Sequence, residues 1–265
     1  MTIASDRKAV VTGGASGFGL AAARKLSGSG ARVALVDLDE RKLEAAAADI
    51  GGGAIGLAAD VRSPEAVQSA VDRAVSEFGG LDTLVLSAGV IHIKPVGDVT
   101  EADWDLTLDV NLKGAFLAIQ SATTHLTASG RGRVVAIASD AAKRGFPYTQ
   151  AYCASKFGLV GLIESVAVEL AGEGVTANCV CPVGCYTTGM GQQVLEWKME
   201  HGGKSATEIM NAAARTNPLG RNVSEADIVD AIMYFVSEEG SFLTGVALDV
   251  DGGAHIGALP GVDSD

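Results

Sequence analysis

Short apolar, β-branched runs alternate with longer helical patterns along almost the whole chain, and this alternation limits the fold more than any single motif does. The run "KAVVTG" precedes "GLAAARKLSGSG", "RVALVD" precedes "ERKLEAAAADI", "AIGLAAD" precedes "PEAVQSAVDRAVSEFG", and "DTLVLSAG" follows. Strand, helix and strand in strict turn predict βαβ units, and therefore a parallel sheet with helices on both faces. The near-continuous apolar character of the strands agrees, because a strand covered on both sides has no polar face.

The second half keeps the rhythm with a helix from Val110 to about Ser129, a strand at "RVVAIAS", a helix containing "QAYCASKFGLVGL", and a strand at "VTANCV". A helix at "EADIVDAIMYFVS" and a strand at "GVALDVDGG" complete it. About seven strands predict an α/β fold: a doubly wound, Rossmann-like, mostly parallel sheet in a single domain spanning 1–265. One excursion, about 184–222, interrupts the pattern. Long insertions in compact α/β domains serve as lids or binding loops, so substrate choice is expected to reside there.

A formal net charge of −12 argues against nucleic acid and against an anionic membrane, since a polyanion would be repelled. A small-molecule partner is favoured. The start "MTIASDRKAVVTGG" carries no basic segment followed by an apolar one, and no unbroken apolar run reaches about 18 residues. A cytoplasmic protein is the expectation. Cys153, Cys179, Cys181 and Cys185 form no spread disulfide framework, and C-x-C-x3-C lacks the paired C-x2-C halves of a zinc ribbon, so no metal is expected.

Directly after the first strand, "TGGASGFG" places Gly13, Gly17 and Gly19 ahead of a helix. Glycines there let the backbone turn sharply and approach a pyrophosphate, while the helix N-terminus offers unpaired amides to the anion. At the end of the second strand Asp37 can accept hydrogen bonds from both adenosine ribose hydroxyls and would repel a 2′-phosphate. This favours NAD over NADP, although Arg41 and Lys42 follow closely enough to meet a 2′-phosphate. Asp39, immediately before "ERKLEAAAA", suits a helix N-cap. Tyr152 and Lys156, four residues apart on a helix, leave the same face.

Together these residues resemble the short-chain dehydrogenase/reductase family, over about Lys8 to Gly253. The matching stretches are "TGGASGFG", Asp60 in "ADV", "SAG" at Ser87 to Gly89, "NLKG" from Asn111, Ser139, "YCASK" and "NCVCPVGCYTT". The resemblance implies that Thr12, Gly13, Ser16, Gly17, Phe18 and Gly19 form the dinucleotide turn and that Asp37, beside Leu38, holds the adenosine ribose. Asp60 and Val61 would flank the adenine. Ser87, Ala88, Gly89, Pro182 and Gly184 would line the rest of the cofactor site, and Thr187 would contact the nicotinamide carboxamide. Asn111, Ser139, Tyr152 and Lys156 would form a catalytic tetrad, and the assembly would be a homotetramer. Two departures stand out. Leu86 and Ser87 replace the two asparagines common after the fourth strand, and Val183 follows Pro182 where glycine is usual, with Gly184 one place later.

The implied chemistry explains the Tyr-x3-Lys spacing. An alcohol cannot readily lose hydride while it keeps its proton, so oxidation needs a base at the carbinol oxygen and reduction an acid. Tyrosine has a reference pKa of about 10, and holding it ionised at neutral pH would cost roughly 4 kcal/mol unaided. A lysine one turn away and an oxidised nicotinamide would remove most of that. Lys156 would also hydrogen-bond the nicotinamide ribose, Ser139 would orient the substrate oxygen, and Asn111 would hold a water linking Lys156 to solvent.

Candidates for the substrate wall are His92, Lys94 and Tyr186, then Asp140, Lys143 and Arg144, and in the excursion Gln192, Gln193, Trp197, Lys198 and His201. Polar residues near a catalytic serine favour a secondary alcohol such as a polyol, sugar or sugar acid. Two alternatives stay open. A ketoacyl thioester reductase would want NADP and a basic docking face, and a non-catalytic dinucleotide sensor would be expected to have a damaged tetrad. The C-terminal "DVDGGAHIGALPGVDSD" is expected near a subunit boundary, its last residues disordered or latching a neighbour.

Overall fold

The computed structural model describes residues 6–257, and in it the expected alternation builds one sheet of seven parallel strands. In chain order these are β1 (Lys8–Thr12), α1 (Gly17–Gly28), β2 (Arg32–Asp37), α2 (Glu40–Ile50), β3 (Ile55–Ala58), α3 (Pro64–Phe78) and β4 (Thr83–Leu86). Then follow α4 (Glu101–Leu108), α5 (Gly114–Ser129), β5 (Arg133–Ile137), α6 (Gln150–Leu170) and β6 (Thr176–Pro182). The last elements are α7 (Gly189–Gly202), α8 (Ala206–Thr216), α9 (Glu225–Val236) and β7 (Ala247–Val250).

The spatial order β3-β2-β1-β4-β5-β6-β7 winds outward in both directions from β1 and β4. Crossovers from these two strands run to opposite sides, so their C-terminal ends splay apart and leave a crevice at the switch point. Helices α3, α5 and α6 bury one face, where Val67, Leu117, Leu159 and Ile163 pack beneath Val10, Leu84 and Val134. Helices α1, α2 and α9 bury the other, with Leu26, Leu43 and Ile232 against Val11, Val33 and Val135. Alternate residues of one strand thus enter two different cores, which is why the strands read as unbroken apolar runs.

Local signals set the helix boundaries. Asp39 accepts the Lys42 N–H at 3.1 Å and caps α2, as its position suggested. Ser63 caps α3 with Pro64 in the first turn, and Gly79 ends it at φ 71°, a left-handed conformation suited to glycine.

The helix expected from Val110 starts earlier. A capping box formed by Thr100 and Asp103 begins α4, and a π-helical turn over Asp109–Lys113 joins α4 to α5. The π turn rotates Asn111 into the core, a displacement invisible to 3.6-residue periodicity. The segment Gln150–Glu173 is long and apolar enough to cross a membrane, with mean hydropathy 1.4, but Leu159, Ile163 and Ala167 on its inner side are core residues of the sheet. The expectation for the last C-terminal residues falls at 258–265, outside the described residues.

Candidate active site

A cleft of about 880 Å³ opens at the switch point and runs from the C-terminal ends of β1 and β2 to the excursion after β6. Its first end is built by the glycine turn. Gly13 has φ 65°, and a Cβ there would lie 2.6 Å from the Ala88 backbone nitrogen. A Cβ on Gly19 would stand 2.2 Å from the Gly13 carbonyl oxygen. The turn therefore packs backbone on backbone against β4 and α1, which only glycine permits. Thr12 lies beneath it, buried, accepting the Ser87 N–H on its hydroxyl at 3.3 Å.

Ser16 occupies the N-cap of α1, yet its side chain accepts no first-turn amide. The amide end of α1 therefore lacks the side-chain oxygen that caps α2 and α3, and Gly13, Ser16 and Phe18 all line the cleft beside it. An anion suits that position.

Asp37 lines the same end. One carboxylate oxygen accepts the Ala15 N–H of the turn at 3.1 Å and the other its neighbour Leu38 N–H at 2.8 Å, fixing the group with lone pairs left toward the cleft. Leu38, Asp60, Val61, Ser87, Ala88 and Gly89 continue the wall. Arg62 lines it too, clasping Asp60 at 2.6 Å, and this hydrogen bond holds the Asp60 carboxyl below its usual range. Neither Arg41 nor Lys42 reaches the lining, and Lys42 is 3.4 Å from Asp39. These residues fit a nicotinamide dinucleotide: a glycine cradle, uncapped amides for a pyrophosphate and a fixed carboxylate for a diol.

In the middle of the cleft, Ser139, Tyr152 and Lys156 meet. Ser139 ends the strand segment after β5, its hydroxyl accepting the Ala141 N–H at 3.1 Å and donating to Asp140 Oδ1 at 3.1 Å. The Lys156 ammonium donates to the Ile137 carbonyl at 2.7 Å and lies 5.6 Å from the centre of the Tyr152 ring. Burial pushes the Tyr152 phenol up to about 12, opposed by the Ser139 hydrogen bond and reinforced by Asp140. It pushes the Lys156 ammonium down to about 8. The sequence led us to expect that the lysine and an oxidised nicotinamide together lower the phenol; among the protein's own groups burial is the largest influence and acts in the opposite direction.

Asn111 is buried, and its amide is engaged on three sides. Its oxygen accepts the Val90 N–H at 2.8 Å, and its nitrogen donates to the Val90 carbonyl at 2.9 Å and to Ser155 Oγ at 3.0 Å. It shares Gly89 with Lys156: a Cβ on that glycine would lie 3.4 Å from Asn111 Oδ1 and 3.8 Å from Lys156 Nζ.

His92, Lys94 and Thr187 are among the candidates that do not line the cleft. His92 lies 3.0 Å from the Thr107 hydroxyl and 3.6 Å from Asp103, and Lys94 donates to Asp103 at 2.6 Å. Both tie the loop after β4 to α4, because Asp103 is already fixed by the capping box and held well below the usual carboxylate range, chiefly by Lys94. Thr187 turns outward and donates to Glu225 at 3.1 Å. Thr188 lines the cleft instead, within 3.7 Å of where a Cβ on Gly17 would stand.

The far end of the cleft is apolar and aromatic. Ile91, Ile93, Phe146, Tyr148, Val183, Tyr186, Met190, Val194 and Trp197 line it, with Asp140, Arg144 and Lys198 as charged neighbours. Lys143, Gln192, Gln193 and His201 stay outside the lining. The excursion folds as α7 and α8, and Gln193 fastens it by donating to the Ile91 carbonyl at 3.3 Å. Gln192 does the same to the Tyr186 carbonyl.

Sequence reasoning missed Phe146 and Tyr148. Tyr148 has φ 67°, the one positive φ outside glycine among the described residues. The Lys94 N–H holds its carbonyl at 2.9 Å, and its ring meets Trp197 at 5.2 Å. Strained backbone of this kind concentrates where side chains are aimed at ligands.

A family model described as enoyl-(acyl carrier protein) reductase matches residues 13–255. The chain is 37% identical over 246 residues to 2-(S)-hydroxypropyl-CoM dehydrogenase 3 of Xanthobacter autotrophicus, covering 92% of this chain and 94% of that one. It is 38% identical over 251 residues to D-threitol dehydrogenase of Mycolicibacterium smegmatis, covering 94% and 92%. Among solved structures, sorbitol-6-phosphate 2-dehydrogenase from Erwinia amylovora superposes with TM-score 0.88 at 30% identity, covering 93% of this chain and 98% of that one. The chain belongs to the short-chain dehydrogenase/reductase family and is an oxidoreductase that uses a nicotinamide dinucleotide.

Proposed function

We propose that this short-chain dehydrogenase/reductase interconverts a secondary alcohol and its ketone with NAD as coenzyme, Tyr152 acting as the acid and base. The observation that carries the reading is the meeting of Ser139, Tyr152 and Lys156 on the wall of the cleft whose other end holds the glycine turn and Asp37. Relatives named for hydroxypropyl-CoM, threitol and sorbitol 6-phosphate support a hydroxylated substrate, of the polyol, sugar or sugar-acid kind.

The dinucleotide, when bound, supplies the hydride acceptor or donor and a positive charge in its oxidised form. The protein does the rest. Tyr152 Oη takes the carbinol proton in oxidation and returns it in reduction. Ser139 Oγ hydrogen-bonds the same substrate oxygen and holds it against the phenol. Lys156, its ammonium pushed down to about 8 by burial, supports the phenolate and would hold the cofactor ribose. Asn111 acts through others: it fixes the Val90 peptide and stands beside Gly89, where a water between it and Lys156 would carry protons outward.

Asp37 selects NAD. Asp37→Ser removes the charge that repels a 2′-phosphate, and we expect the NADP+/NAD+ ratio of kcat/KM to rise by about tenfold or more, equivalent to about 1.4 kcal/mol. Screening polyols, sugars, sugar acids and other secondary alcohols for NADH absorbance tests the reaction itself. Dinucleotide binding with no turnover across the panel would instead identify a sensor. Exposed Phe116 on α5 and Phe157 and Val168 on α6 support packing into a homotetramer.

A further inference from the structure

Every other cation on the cleft wall is already engaged by a carboxylate or a carbonyl. Arg62 clasps Asp60 at 2.6 Å, Arg144 lies 3.2 Å from Asp140, and Lys156 donates to the Ile137 carbonyl at 2.7 Å. Lys198 differs. Its ammonium donates to the Tyr186 hydroxyl at 3.2 Å and lies 5.6 Å from the centre of that ring, so its partner is neutral. On α7 its neighbours at three and four residues are Leu195, His201, Val194 and Gly202, none of them acidic. Glu196 and Glu200, two residues away, leave the helix in other directions.

Tyr186 is only 6% exposed, so the hydroxyl that receives Lys198 is fixed in the wall. Lys198 is an exposed residue, and its contact with this fixed hydroxyl directs the ammonium to the cleft wall. Tyr148, Val194 and Trp197 line the same cleft and present apolar surface to a bound molecule. An oxyanion brought to this point would give Lys198 the anionic partner it lacks, and the apolar residues of the wall would cover a carbon body.

We propose that Lys198 anchors the substrate, and that the preferred alcohols and ketones carry an oxyanion separated by an apolar body from the reacting carbon. This rests on the hydride-transfer reading above and adds its substrate class. The oxidation and reduction steps are unchanged: Lys198 positions the substrate and exchanges no proton or electron.

The test uses the intact enzyme with NADH and three ketones, 4-acetylbenzoate, 4-acetylbenzenesulfonate and levulinate, each against its uncharged amide. The acid should exceed its amide in kcat/KM by about tenfold, or about 1.4 kcal/mol, in at least one pair. The pair that responds separates carboxylate from sulfonate and rigid from flexible bodies. Lys198→Met should bring that ratio close to one, Lys198→Arg should retain it, and Lys204→Met, the same charge change on the lid outside the cleft, should leave it intact. Amides equal to or better than acids in every pair, or a ratio that survives Lys198→Met, would overturn the proposal. Should none of the three ketones be reduced, the alcohol panel above judges the hydride reading, and calorimetric binding of the same pairs judges Lys198 alone. The acid must then bind about tenfold tighter than the amide to the wild type and not to Lys198→Met; otherwise the anchor is wrong as well.

Discussion

Tyr152→Phe is expected to lower kcat/KM for alcohol oxidation by about 10³-fold, within the range that general acid–base catalysis supplies, while the dissociation constant for NADH changes by less than about threefold. The substitution removes one hydroxyl and keeps the ring. Lys156 remains held by the Ile137 carbonyl and the glycine turn is untouched, so the dinucleotide end should be unaltered. Loss of turnover with binding preserved is the pattern of an interaction made in the transition state. Steady-state kinetics with NADH fluorescence titration measure both quantities. Activity within about tenfold of wild type would remove Tyr152 as the proton-transfer group, since that lies below the usual range of such catalysis.

Gly19→Ala is expected to weaken NADH binding by at least about tenfold, and to destabilise the fold by about 1–3 kcal/mol. The added Cβ would lie 2.2 Å from the Gly13 carbonyl oxygen, which is backbone and cannot swing aside. Relief requires that the turn move away from α1, carrying the uncapped amides with it. At roughly 2–4 °C per kcal/mol for a domain of this size, the melting temperature should fall by several degrees. Gly28→Ala is the control, since a Cβ there meets nothing within 4 Å. Equal binding by the Gly19 and Gly28 variants would mean that the close-packed turn is not the dinucleotide cradle.

Much of this architecture was legible in the sequence because parallel strands and their covering helices are written in local patterns. The apolar runs of β1, β2 and β4 follow from two-sided burial, and Asp39 announced its cap by its place before α2. What escaped depends on tertiary placement. His92 and Lys94 were read toward the cleft because they follow the fourth strand, but Asp103, one turn into a helix whose cap went unnoticed, captures both. Thr187 and Thr188 are adjacent in sequence and face opposite ways. Tyr148 and Phe146 gave no signal, because neither a left-handed tyrosine nor the position of its ring is encoded in periodicity.

The ionisation of Tyr152 depends on more than the Tyr-x3-Lys spacing. The sequence pointed to a lysine and an oxidised nicotinamide acting together on the phenol; with the protein's own groups alone, burial raises the phenol to about 12 and the ammonium rests on a carbonyl. By the proposed mechanism the phenol is therefore expected to give up its proton once the positively charged coenzyme is bound. Ultraviolet absorbance of tyrosinate reports this directly, and subtracting Tyr152→Phe isolates one of the four tyrosines. At about pH 9.5, below the ordinary tyrosine value of about 10, the difference should be near zero without coenzyme and should approach one tyrosinate per chain with saturating NAD+. A full tyrosinate signal in the free enzyme, or no change on adding NAD+, would contradict it.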